Sequence, residues 1–95
     1  MSDPQPGSVT FIGFVISLAQ TAAVHFGDAV APGEDAPTPA NLPAAQQMIE
    51  IMALLEGKTR GNLSAEERQV LEQLLYELRM RFLQLRDEQP RIIQP

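Results

Sequence analysis

From Pro4 to Gly27 the chain carries no Asp, Glu, Lys or Arg, and inside that interval Val9 to Phe26 is an almost unbroken apolar run. Its β-branched residues do not alternate with polar ones between Val9 and Ile16, so a half-buried strand is a poor fit and a helix over about 9–26 is expected. Ser8 stands just before the run as an N-cap candidate, because its hydroxyl can accept a free first-turn N–H. On a helix, Phe11, Ile12, Phe14, Val15, Ile16, Leu18, Ala19, Ala22, Ala23, Val24 and Phe26 leave only a narrow stripe of Thr10, Gly13, Ser17, Gln20 and Thr21. Such a helix has to be covered on most of its circumference.

Eighteen residues just reach the lower limit for spanning a membrane. Ser17, Gln20, Thr21 and His25 lie inside the run, however, and every Lys and Arg lies beyond Gly57, so no basic flank orients it. A buried bundle helix is the expectation. Ala29-Val30-Ala31 resembles a signal-peptidase site, but Asp3 and the lack of any Lys or Arg ahead of the run argue against a signal peptide, and Pro32 would follow the cut. A cytoplasmic location is expected.

The rest of the chain divides readily. Residues 1–7 hold two prolines and a glycine and are expected to be a disordered tail. Pro32, Pro37 and Pro39, with Asp28, Glu34 and Asp35, make 27–41 a proline-rich acidic linker. Asn41 can cap a second helix with Pro43 in its first turn, where a missing N–H costs little. That helix is expected over about 42–56, stopping at Gly57 as a left-handed terminator. Lys58 to Leu63 is a connector. Ser64-Ala65-Glu66-Glu67 is a capping box, in which Ser64 and Glu67 each satisfy the other's backbone N–H. A third helix follows over about 65–88, about 36 Å long, and 89–95 is a tail. On it Leu71, Leu75, Leu78, Phe82 and Leu85 share one stripe, while Glu77 and Arg81 are a favourable i,i+4 pair. Ala45, Met48, Met52 and Leu55 form the facing stripe of the second helix.

Composition removes several function classes. The net charge is −5, which argues against nucleic acid, where clustered cations dominate affinity. There is no Cys and a single His, so disulfides, thiolate sites and a multi-His metal site within one chain are excluded. No cofactor loop is present, and no cofactor or metal is expected. His25, near the end of the first helix, suits the satisfaction of terminal carbonyls better than catalysis; Ser17 lies two turns away with no recognisable activating geometry. Lys58 and Arg60, beside the start of the third helix, are a weak anion-site candidate. Met48 and Met52 could line an adaptable groove, though Met more often fills core gaps. Gly13, Ser17 and Thr21 make a small-residue ridge that permits close helix approach.

Several motifs occur together: Phe11-x-x-Phe-Val-x-Ser-Leu-Ala, the acidic linker, Asn41-Leu42-x-x-Ala45, Lys58-Thr59-Arg60-Gly61-Asn62-Leu63-x-x-Glu66-Glu67, and Leu78-Arg79-x-x-Phe82. This set resembles the domain of unknown function family 1844, short helical proteins from diverse bacteria, over about Phe11 to Leu85. The Lys58–Leu63 run is its most specific part. The resemblance implies a stand-alone bacterial protein and brings no catalytic residue with it.

The expected fold is therefore all-α: an antiparallel hairpin of the second and third helices, with the apolar first helix packed on it, in one domain over 8–88. The first helix carries more apolar surface than one hairpin covers. A chain of 95 residues without disulfides has little stability to spare. A homodimer is expected, with Phe11, Gly13, Phe14, Ser17 and Leu18 as its association face. The expected function is non-enzymatic and rests on helix–helix association, as a homo-oligomer or an adaptor for another protein; the alternative is peripheral membrane attachment through 9–26.

Overall fold

Thr10 opens the first helix, α1 (Phe11–Phe26), with extended backbone and a hydroxyl that accepts from Gly13 N at 2.9 Å. The computed structural model describes residues 9–88, so the Ser8 cap and the two expected tails, 1–7 and 89–95, lie outside the described residues. Within them the cap is Thr10, one turn before Gly13, because its side chain is the one placed to reach a first-turn N–H. At the other end Gly27 adopts φ 83, and Gly27 N and Asp28 N donate to Val24 O and Ala23 O at 3.0 and 2.9 Å. This left-handed turn, not the His25 side chain, closes α1.

The linker then folds back. Asn41 N donates to His25 O at 2.7 Å, which sets the start of the second helix beside the end of the first. In α2 (Leu42–Thr59), Asn41 Oδ1 accepts from Ala44 N at 3.2 Å and a proline occupies the first turn, as the sequence predicts. The helix runs past Glu56, however. Gly57 is helical, and the left-handed glycine is Gly61, at φ 87. Side chains of the last turn hold the extension: Thr59 Oγ1 donates to Leu55 O at 2.8 Å, and Arg60 forks onto the Glu56 carboxylate. In α3 (Ala65–Glu88) the capping box forms as expected, with Glu67 N donating to Ser64 Oγ at 3.1 Å and Ser64 N to Glu67 Oε1 at 2.8 Å.

Each helix touches the other two, and among the described residues there is no strand. Val15, Ala22 and Phe26 of α1, Leu42, Ala45, Met48, Ile49 and Met52 of α2, and Leu71, Leu75 and Leu78 of α3 form one core, with Leu55 and Phe82 at its margin. No polar side chain is buried among them. Because α1 lies against both partners, two of its flanks are covered instead of one. Phe11 and Leu18, expected to face outward in a dimer, pack against the core; of the large aliphatic and aromatic groups on α1, Phe14 and Ile16 stay exposed. The surplus on α1 is thus smaller than its sequence suggests.

Arg81 also departs from expectation. It does not pair with Glu77, whose carboxylate accepts from Gln73 Nε2 at 2.8 Å. Instead Arg81 clamps Asp28 at the exit of α1, with Nε to Oδ2 at 2.8 Å and Nη2 to Oδ1 at 2.6 Å. The Nε–Nη2 edge of the guanidinium meets both carboxylate oxygens of the aspartate beyond Gly27, a bidentate pair.

Candidate functional site

The structure divides the association face inferred on α1. Phe11 and Leu18 lie on the core side, whereas Gly13, Phe14 and Ser17 are exposed. Between Phe14 and Ile16, the outer stripe of α1 is Gly13, Ser17, Gln20 and Thr21, all exposed. The hydroxyls on it turn inward to their own helix: Ser17 Oγ donates to Phe14 O at 2.7 Å and Thr21 Oγ1 to Ser17 O at 3.1 Å. Gly13 has a local role as well, since a Cβ there would come within 2.9 Å of the Thr10 hydroxyl that caps the helix. The ridge is polar and internally satisfied. It gives a membrane little to grip, and among the described residues no helix is long and apolar enough to cross one.

Ser17 therefore presents its hydroxyl to a backbone carbonyl. Lys58 and Arg60 part company. Arg60 is bound by Glu56 at 2.8 Å, and that hydrogen bond and charge hold the guanidinium pKa above its usual value. The hollow beside the start of α3 is lined by Glu56, Arg60, Gly61, Leu63, Ala65 and Arg68, without Lys58. On its wall Glu56 is paired with Arg60, and at the start of α3 Ser64 already accepts from Glu67 N. Met48 and Met52 are core side chains, Met52 fully buried. Among the described residues no group of three or more His, Asp or Glu side chains could hold a metal ion.

The surface that sequence reasoning passed over lies on the outside of α3. Tyr76, Met80 and Leu83 are 60%, 48% and 39% exposed, and Leu54 on α2 is 62% exposed. Tyr76, Met80 and Leu83 are spaced by four and three residues, so they share a stripe on the side of α3 away from Leu71, Leu75 and Leu78. That spacing was a legible signal, but the larger leucine stripe on the same helix masks it. Two grooves flank the outer surface of α3. Gln46, Ile49 and Glu50 of α2 line one with Arg79, Phe82 and Leu83; Ile16 of α1 lines the other with Val70, Gln73, Leu74 and Glu77.

The family described as Domain of unknown function (DUF1844) matches residues 8–84, which include the Lys58–Leu63 run and all of α1 and α2. No curated protein and no solved structure matches the chain.

Proposed function

The chain belongs to the Domain of unknown function (DUF1844) family, and from that premise we propose that it is a non-enzymatic bacterial helical protein that acts by self-association, as a homodimer of helical units. The observation that carries this reading is the set of large apolar side chains on the helices left outside the three-helix core: Phe14 and Ile16 on α1, Ile51 and Leu54 on α2, and Tyr76, Met80 and Leu83 on α3. Isolated exposed apolar residues are ordinary, but three in register along one helix face offer an edge that a second helix can cover. Burying a large apolar side chain contributes about 1.5–3 kcal/mol. Three per protomer are therefore comparable with a useful fraction of the stability of a domain this small.

The internal architecture in this reading is an antiparallel hairpin of α2 and α3. It is supported by the groove that joins Gln46 and Glu50, early in α2, to Arg79 and Leu83, late in α3. The hollow that joins Glu56 and Arg60 to Ala65 and Arg68 supports it from the other end. A non-enzymatic role is supported by the chemistry of the polar groups: the Ser17 and Thr21 hydroxyls and the Glu56, Glu67 and Asp28 carboxylates are each engaged in a structural hydrogen bond.

Sedimentation velocity and multi-angle light scattering across submicromolar to high micromolar protein concentration test the proposal. A mass near twice 10.4 kDa, with a melting temperature that rises with concentration, is the expected result. A well-folded monomer with a concentration-independent melting temperature overturns it.

A further inference from the structure

Sulfur enters this chain only as methionine: there are four Met and no Cys. Of the three among the described residues, Met52 is fully buried, Met48 is 9% exposed and Met80 is 48% exposed. Position separates them as sharply as exposure does. Met48 and Met52 belong to α2 and to the core, where no polar side chain is buried. Met80 belongs to α3 and stands in the middle of its outer stripe, four residues after Tyr76 and three before Leu83.

A thioether offers a nucleophilic lone pair without losing a proton first, and a hydroperoxide is the reagent that takes it. The sulfur attacks one peroxide oxygen, and the S–O bond forms as the O–O bond breaks. The other oxygen leaves as hydroxide, which takes the hydrogen from the transferred oxygen and becomes water. Sulfur is oxidised by two electrons, the peroxide is reduced by two, and the products are methionine sulfoxide and water. At Met48 or Met52 the reagent has to enter an apolar core, and the new S–O dipole would be buried there without a hydrogen-bond partner. Those two side chains therefore react only when the fold opens locally. At Met80 water can solvate the same dipole, so the fold gives up little. What changes is the stripe, whose central apolar side chain becomes a strong hydrogen-bond acceptor between Tyr76 and Leu83.

We infer that Met80 is a peroxide-responsive modification site, through which oxidation turns the outer face of α3 from apolar to polar while the core stays intact. This is drawn for the single chain, separately from the homodimer reading, and is tested at high dilution. The full chain is treated with hydrogen peroxide, and oxygen uptake is followed at each methionine by peptide mass spectrometry. Retention on a phenyl hydrophobic-interaction column reads surface polarity, and circular dichroism reads helix content. Met80 is expected to oxidise at least about tenfold faster than Met48 and Met52, with helix content unchanged once it has reacted. Retention is expected to fall when wild type is oxidised and to stay high in peroxide-treated Met80→Leu. In Met80→Gln it is expected to be low without peroxide. Oxidation of Met48 or Met52 at a rate comparable with Met80, or loss of helix as Met80 reacts, overturns the inference. A fall in retention that Met80→Leu shows equally overturns it as well.

Discussion

Three glycines, each of which the sequence would allow at a helix end, are predicted to respond to alanine with different magnitudes and, in one case, opposite sign. Gly27 has φ 83, and a Cβ there would meet Thr38 O at 2.9 Å and Ala40 N at 3.4 Å, both backbone atoms of the returning linker. The left-handed conformation alone costs an alanine about 1–2 kcal/mol. Pushing the linker outward also stretches the Asn41 N–H to His25 O bond, 2.7 Å long, and losing it costs about 1 kcal/mol more. Gly27→Ala should therefore destabilise by about 3 kcal/mol. Gly61 has φ 87 but nothing within 4 Å of its Cβ position, so Gly61→Ala carries the conformational cost alone, about 1–2 kcal/mol. Gly57 is inside α2 with open space around it. Gly57→Ala should stabilise by about 0.5–1 kcal/mol, since it removes backbone freedom from the unfolded chain. Urea unfolding at one fixed protein concentration, followed by circular dichroism, measures all three; each kcal/mol corresponds to about 4–8 °C in melting temperature for a domain of this size. Gly27→Ala no worse than Gly61→Ala would refute the close approach of the linker. A destabilising Gly57→Ala would show that α2 ends at Gly57 after all.

Ser64→Ala removes the acceptor for Glu67 N and should cost about 1 kcal/mol, read by the same unfolding curves; an unchanged midpoint would mean that the capping box contributes nothing. Asp28 has its carboxyl pKa lowered, first by the hydrogen bond from Arg81 and then by that guanidinium's charge, partly opposed by burial. A depressed folded-state value means that the stabilisation is present above the ordinary aspartate pKa and is lost as pH falls through the lowered one. Asp28→Asn should therefore flatten the loss of stability between about pH 5 and about pH 2. Because both side chains are about one-third exposed, the effect should stay below about 1 kcal/mol. A variant whose acid sensitivity matches wild type would remove the clamp from the account.

The end of α1, the extent of α3, the Asn41 cap and the Ser64–Glu67 box were legible in the residues because each depends on partners within four positions. The start of α1 was not, since the helix begins at Phe11 under a Thr10 cap and not at about residue 9. A serine hydroxyl three residues from a glutamate N–H meets it wherever that segment becomes helical. The leucine stripe of α3 is legible for the same reason, since the helical period alone puts Leu71, Leu75 and Leu78 on one face. The other features required the assembled fold. Gly57 and Gly61 both suit a helix end, and the choice fell to Gly61 because Thr59 and Arg60 bond back to Leu55 and Glu56 and carry the helix one turn farther. Arg81 had a good partner four residues away in Glu77. It took Asp28 instead, 53 positions distant in the chain, because the turn at Gly27 presents both carboxylate oxygens to the Nε–Nη2 edge of the guanidinium. The apolar excess of α1 was likewise a correct count of residues, but how much of it reached solvent depended on how many neighbours the helix acquired. Against one helix Phe11 or Leu18 would have stayed outside; wedged between two, α1 buries them, and the exposed apolar edge passes to Tyr76, Met80 and Leu83 on α3. Short-range hydrogen bonding and periodicity are properties of the chain, whereas competition between near and far partners is resolved only when tertiary packing sets the distances.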